Sequence, residues 1–504
     1  MITIGTLVDR AARRYGDRTA VVDGDRRLSF REVGDRSTRL ANALLAVSPT
    51  AGSRVALVLG NRLEVVETDF AIAKAGKVKV PVNPRLSDEE RRFILANCGA
   101  EVVVTERAEV DRLQALRGDL PDLRHVVSVD GGGTDYRDLL RASAGAPDVV
   151  VDADGPSMIL HTSGTTGRPK GATTTQSARI AATRHMLLDE FPATVDDGMV
   201  HVAPMSHGSG SKILAYFVRG ARNITLPKFT PEAFFAAMAG SGGTSSFVVP
   251  TMIRMLLDSL PAAGAGPGGV RNLTYGGAPM PASLAEEAIA AFGPVLTQVY
   301  GSCEAPHPVT SLSRRDHLEG PPDRLASAGH EVFVVEVRIA GEDGGEQPWG
   351  EPGELWVRGP NLMSGYWNDP EATAAVTSDG WYRTGDVARR GDQGFVHIVG
   401  RERDMLISGG LNVYPAEVEG VLHRHPDVAE AAVFGVPDDL WGERVTAVVV
   451  LRDGSVPDAD EIVRWCADHL AAYKKPRRVH FVENLPKGST GKVSKESLRA
   501  MTAE

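Results

Sequence analysis

Short runs of consecutive apolar residues alternate, along the first part of the chain, with longer stretches of helical pattern. Val55-Ala56-Leu57-Val58-Leu59, Val78-Lys79-Val80-Pro81-Val82 and Val102-Val103-Val104 read as short strands, and Met158-Ile159-Leu160 as a buried one. Ser29-Phe30-Arg31-Glu32 and Ser87-Asp88-Glu89-Glu90 set a serine three residues before a glutamate, the spacing of a capping box, and each opens a helical pattern. Strand and helix in alternation predict α/β layers with largely parallel sheets. Near the other end, Ala431 to Val436 and Val445 to Leu451 are strand candidates of a small α+β unit. The Gly/Pro/Ala tract from Ala262 to Gly269 reads as a loop, and no repeat or sustained low-complexity segment accompanies it.

Length turns this pattern into at least two domains, since 504 residues exceed one ordinary domain and 42% hydrophobic residues suffice for a large core. A formal net charge of -10 gives no electrostatic reason to expect nucleic acid or an anionic membrane as a partner. Small molecules are the expected partners. Cys98, Cys303 and Cys466 are too few and too scattered for a disulfide framework or a CxxC metal site, which fits a reducing compartment. The opening Met1-Ile2-Thr3-Ile4-Gly5-Thr6-Leu7 lacks a basic then apolar leader, and no stretch reaches the roughly 18 apolar residues of a membrane span. These features predict a cytoplasmic protein.

Two hydroxyl- and glycine-rich segments carry the first candidate chemistry. Thr162-Ser163-Gly164-Thr165-Thr166-Gly167-Arg168-Pro169-Lys170 follows the buried run at Met158, and Gly488-Ser489-Thr490-Gly491-Lys492 lies near the far end. Glycines let backbone N–H groups approach an anion, hydroxyls donate further hydrogen bonds, and lysine adds a full positive charge. Such loops suit a polyphosphate. Neither is a Walker A sequence, so a P-loop NTPase is not indicated. Taken singly, each segment reads equally well as an ordinary surface loop.

Further motifs follow in order. They are Tyr275-Gly276-Gly277-Ala278-Pro279, Gln298-Val299-Tyr300-Gly301-Ser302-Cys303-Glu304, and Gly353-Glu354-Leu355-Trp356-Val357-Arg358-Gly359. After these come Trp381-Tyr382-Arg383-Thr384-Gly385-Asp386, Gly400-Arg401-Glu402-Arg403-Asp404, and Ser408-Gly409-Gly410-Leu411-Asn412-Val413-Tyr414-Pro415. The ordered set resembles the adenylate-forming superfamily of acyl-CoA synthetases, adenylation domains and luciferases, over essentially the whole chain. It is most similar to AMP-forming fatty-acid and aryl-acid:CoA ligases, a likeness supported by Ala472-Tyr473-Lys474-Lys475-Pro476.

The resemblance implies a large N-terminal domain over residues 1–400, a hinge at 401–404 and a small mobile α+β lid over 405–504. It also implies a two-step reaction in which ATP activates an aryl or aliphatic carboxylic acid as acyl-AMP, releasing pyrophosphate, and the acyl group passes to the CoA thiol. By resemblance, Thr162, Ser163, Gly164, Thr165, Thr166, Gly167 and Lys170 hold the β- and γ-phosphates, and Glu304 ligates Mg²⁺, a hard cation that prefers oxygen. Tyr300, within Tyr300-Gly301, lies against adenine, with Gly276, Gly277 and Ala278 on its other side. Asp386, assisted by Arg401, accepts from the ribose hydroxyls. Lys492 bridges the attacking carboxylate and the α-phosphate during adenylation, Arg403 is the hinge residue, and Gly409-Gly410 line the pantetheine tunnel. Lys474 or Lys475 are candidate contacts for the CoA phosphates.

Several positions depart from the family pattern or bear on substrate choice. Cys303 stands where the family usually has threonine, exchanging a hydroxyl expected near the α-phosphate or the acyl carboxylate for a weakly bonding thiol. Gln176 replaces a common histidine and keeps hydrogen-bonding capacity. His207, in Pro204-Met205-Ser206-His207-Gly208-Ser209-Gly210, falls beside the acyl site by resemblance, as a gate or as a packed, hydrogen-bonded residue. Lys212 is unusual: turned inward it could hold a second carboxylate or another small anion, whereas the general expectation is a solvated lysine. A CoA-independent adenylating enzyme, such as a diazotase activating nitrite for an aromatic amine, and a non-catalytic nucleotide-binding homologue are the alternatives. Sequence leaves the oligomeric state open.

Overall fold

The computed structural model describes residues 2–162, 169–240, 242–260, 269–408, 411–438, 441–456, 458–487 and 493–502. Two large sheets form the body. One is eight-stranded and centres on Arg54–Val58, flanked by Val78–Val82 and Ala100–Thr105, all parallel. The other is nine-stranded. Its middle strands Arg222–Thr225, Gly198–His201, Ser245–Val248, Asn272–Gly276 and Leu296–Tyr300 run parallel, and antiparallel strands close its edges. The apolar runs become strands because both of their faces are covered. Val55, Val80, Val102 and Val103 are wholly buried.

Both capping boxes form. Ser29 starts the helix Phe30–Val47 with its hydroxyl accepting from Glu32 N–H, and Ser87 does the same for Asp88–Cys98. The Phe30–Val47 helix packs Phe30, Leu40 and Leu44 into the same core as Phe70 and Phe217, where the rings of Phe30 and Phe217 lie 4.7 Å apart. Gln176 opens the helix Gln176–His185. Its side chain accepts from Ile4 N–H at 2.8 Å and donates to the Ala73 carbonyl at 2.9 Å. This residue ties three helices together.

Largely parallel pairing holds for the two large sheets only. A five-stranded sheet from Glu336–Ala340 to Val396–Arg401 is antiparallel throughout; its strands Trp381–Arg390 and Val396–Arg401 are joined by the turn 391–395, a connection with no room for a crossover helix. The last sheet pairs Val428–Asp438 antiparallel with Gly442–Leu451 around a separate core that includes Val433, Ala447 and Val449. The helices Pro415–Leu422 and Ala459–His469 seal that core with Val418, Leu422, Ile462 and Cys466. Both predicted C-terminal strands lie within this pair. Among the described residues no helix is long and apolar enough to cross a membrane. Cys98, Cys303 and Cys466 form no disulfide with one another. The predicted loop at 262–268 lies outside the described residues.

Candidate active site

Two clusters of chemistry-bearing side chains form between the end of the strand Leu296–Tyr300 and the strand Trp381–Arg390. In the first, the Tyr300 hydroxyl donates to Asp386 Oδ2, and Arg401 Nε donates to Asp386 Oδ1 at 2.8 Å. Asp386 and Arg401 face each other across neighbouring antiparallel strands, so sheet register itself holds the ion pair. Asp386 is buried, and its backbone N–H donates to Thr384 Oγ1 at 3.0 Å. Burial opposes the Arg401 charge, yet the carboxylates of Asp386, Asp404 and Glu304 with the Tyr300 oxygen outweigh it and hold the guanidinium protonated. Burial, reinforced by Asp386, pushes the Tyr300 phenol far up, so it stays a donor.

The second cluster centres on Glu304. Tyr366 donates its hydroxyl to Glu304 Oε1 at 2.9 Å, and Lys170 Nζ lies 5.2 Å from the centre of the Tyr366 ring. Lys170 ends the loop between Pro156–His161 and Gly171–Thr175, an antiparallel hairpin closed by the Thr162 N–H to Lys170 carbonyl bond at 2.9 Å. Tyr366 reaches the cluster because Gly365–Tyr366 pairs with the second strand of that hairpin. Tyr382 completes the group. Burial first, then Glu304, drives its phenol well above the usual range. Cys303, half-buried, packs against the same apolar core as Tyr300 and Tyr366.

Glycine at two of the predicted positions answers to the protein's own backbone. A Cβ on Gly276 would sit 2.4 Å from the Val299 carbonyl oxygen of the next strand, and one on Gly301 would sit 2.7 Å from His307 Cα. Gly277 has φ +79° with open space around its α-carbon, a left-handed turn that ends the strand Asn272–Gly276 and carries the chain on to Ala278.

His207 stands at the start of the helix Gly208–Val218, with its Nδ1 2.9 Å from Ser206 Oγ. One turn on, Ser211 Oγ lies 3.0 Å from His307 Nε2, and His307 stacks on Phe247 with ring centres 5.4 Å apart. Burial, followed by the neighbouring Lys212 charge, pushes the His307 imidazole well below its ordinary value. Lys212 overturns the expectation of a solvated lysine: it is 1% exposed and paired with Glu190, which also accepts from Thr274 Oγ1 at 2.7 Å. Lysine tolerates this position because a carboxylate from the π-helical turn Met186–Glu190 meets it.

Lys474, considered for the CoA phosphates, donates to Glu417 at 2.7 and 2.8 Å. That partner neutralises the cation. Arg403 lies in the 3₁₀ turn Glu402–Asp404 directly after the Arg401 strand, with Nε 4.0 Å from Asp404. Ser163, Gly164, Thr165, Thr166, Gly167, Gly409, Gly410 and Lys492 lie outside the described residues. Sequence reasoning missed Tyr366, Glu190, Phe247 and His307, which come from separate segments and meet only in the fold.

Comparison with known proteins places the chain in a family. The AMP-binding enzyme family matches residues 8–367, and the AMP-binding enzyme C-terminal domain matches residues 417–492. The chain is 38% identical to a feruloyl-CoA synthase of Amycolatopsis sp over 98% of each chain, and 36% identical to an indoleacetate–CoA ligase of Aromatoleum aromaticum over 98% of this chain and 97% of that one. The solved structure of the amide bond synthetase McbA from Marinactinospora thermotolerans superposes with a TM-score of 0.90 at 30% identity, covering 99% of both chains. The chain therefore belongs to the AMP-binding enzyme family. Within it, the protein is an AMP-forming acyl-CoA ligase, joining a carboxylic acid to CoA through acyl-AMP.

Proposed function

We propose that the acid is aromatic and that the two clusters divide the nucleotide between them. Tyr300, Asp386 and Arg401 take the nucleoside, the last two through the ribose hydroxyls, while Lys170, Thr162 and the loop 163–167 take the β- and γ-phosphates. Gly276, Gly277 and Ala278 border the adenine, and Gly301 and Cys303 border the reacting α-phosphate. The substrate carboxylate attacks the α-phosphorus, the bond to the β-phosphate oxygen breaks, and pyrophosphate leaves. Attack by the CoA thiolate then forms the C–S bond and expels AMP, the thiol proton passing to solvent. Two anions must meet in the first step, so oriented cations and donors are the main catalytic need.

Glu304 fits Mg²⁺. Its carboxylate is a hard oxygen ligand with one oxygen held by Tyr366, and a single protein carboxylate beside nucleotide phosphates is how this ion is commonly held. Bound there, Mg²⁺ would offset the charge of the phosphates. Lys492 is proposed to bridge carboxylate and α-phosphate, then to withdraw as residues 405–504 turn about 401–404 and Gly409-Gly410 admit the pantetheine arm. His207 is proposed to border the acid. A cytoplasmic setting fits three cysteines that form no disulfide.

The observation that carries the aromatic reading is the wall formed by the stacked rings of Phe247 and His307. Both rings lie against Gly208, the residue after His207, in a chain two of whose matched relatives are named for feruloyl and indoleacetate substrates, others being named for fatty acids. The test is mass spectrometry of the protein with ATP, Mg²⁺, CoA and a pooled library of aryl, alkyl and dicarboxylic acids. An aryl-CoA thioester with stoichiometric AMP is expected. Thioesters drawn only from alkyl acids would overturn the reading, and the McbA likeness makes an amine the second acceptor to supply.

A further inference from the structure

The Lys212–Glu190 pair has no part in the chemistry above, yet its position ties it to the acid. Thr274, which donates to Glu190, sits two residues before Gly276 on the strand Asn272–Gly276. Residues two apart share one face of a strand, so the pair lies one pleat, roughly 7 Å, below the glycine turn. Lys212 lies on the helix that follows His207, five residues on, with Nζ 5.6 Å from the centre of Phe247. A single wall therefore runs from His207 past the Phe247–His307 stack to a buried ion pair.

Hydrogen-bond capacity at that end exceeds what the described residues supply. An ammonium has three donors, and Glu190 is the one acceptor that Lys212 meets among the described residues. Burial works against the Lys212 charge and Glu190 restores part of it. By contrast, the buried Lys74 meets Asp9, the Gly34 carbonyl and the Thr38 hydroxyl. The carboxylate of Glu190 likewise has lone pairs beyond those used by Lys212 and Thr274. Because the pair is already neutral, a second substrate carboxylate would leave an uncompensated buried negative charge. A hydroxyl, which both donates and accepts, meets both partners without adding charge.

We infer that Lys212 and Glu190 form the polar end of the acid-binding site and select an aromatic acid bearing a neutral hydroxyl remote from its carboxylate. The inference rests on the aromatic-acid reading. Its test compares kcat/KM for pyrophosphate release across benzoic and cinnamic acids matched except for the distal substituent: hydrogen, hydroxyl, amino or carboxylate. The wild-type chain is expected to favour the hydroxyl acid over its unsubstituted partner by roughly 10- to 100-fold, the worth of a hydrogen bond to a charged group. In the double variant Lys212→Met/Glu190→Gln, which removes both charges at similar volume, that ratio should fall to near unity.

If every aryl acid fails while alkyl acids turn over, the aromatic reading falls and this inference with it. If aryl acids turn over without preference, or the dicarboxylic acids lead, the inference alone is overturned. A folded double variant that keeps the full preference also overturns it. Should the double variant not fold, the wild-type series decides alone.

Discussion

At the scale of single residues, charge and burial make opposite demands, and their balance is testable. Asp386 holds Arg401 and receives Tyr300, so Asp386→Asn removes the charge that organises the nucleoside cluster. The KM for ATP should rise about tenfold or more, the range expected for a charge-assisted hydrogen bond, with the melting temperature little changed. An unchanged KM would remove Asp386 from the nucleotide. Histidines set a second expectation. His201 is fully buried between Ser209 and Asn223, and burial lowers it to about 4 from its ordinary 6.5; His161 and His317 are likewise lowered to about 4. A depressed folded-state value means that the unfolded chain binds the extra protons. Stability from these residues is complete above pH 6.5 and is lost progressively as pH falls toward 4. Each step of one in pH across that window removes about 1.4 kcal/mol per histidine. Thermal melts should decline steeply there, and His201→Gln should flatten the decline. A profile that stays flat as pH falls from 6.5 toward 4 would contradict the account.

At the scale of elements, steric fit at strand ends decides what the sequence can vary. Gly276→Ala would push a methyl carbon to 2.4 Å from the Val299 carbonyl, and that oxygen belongs to the neighbouring strand of the same sheet. We expect a lowered melting temperature, by a few degrees for a cost of about 1–3 kcal/mol in so large a chain, measurable by calorimetry; an unaltered melt would show that the strands part freely. Strands were legible in the sequence where burial on both faces left an uninterrupted apolar run, as at Val102–Val104 within Ala100–Thr105. Helix starts were legible where a serine and glutamate stood three apart. The antiparallel sheet of 336–401 was not, because its strands carry Arg, Glu and Trp and owe their order to partners rather than to their own periodicity. Candidate site residues could be named from the sequence where they fall in short motifs. Tyr366 and the Lys212–Glu190 pair were opaque, since 62 residues separate Tyr366 from Glu304 and 22 separate the buried pair. Contacts at such separation leave no local pattern.

At the scale of the whole molecule, the reaction asks one site to favour adenylation and then thiolysis. The C-terminal sheet has its own core, which suits a unit that moves as a body. On the proposal that residues 405–504 carry Lys492 in and out, Lys492→Ala should slow adenylation by something like ~10²–10³-fold and spare thioester formation from supplied acyl-AMP. Equal losses in both half-reactions would contradict that division. The central claim, transfer through acyl-AMP, is tested most directly by isotope. With a carboxylic acid substrate labelled with ¹⁸O at both oxygens, the attacking oxygen stays on phosphorus when the thiol displaces AMP. Mass spectrometry of the product AMP should find one ¹⁸O atom per molecule, with the other in the thioester carbonyl. AMP without label, or label in free phosphate alongside ADP, would contradict the account.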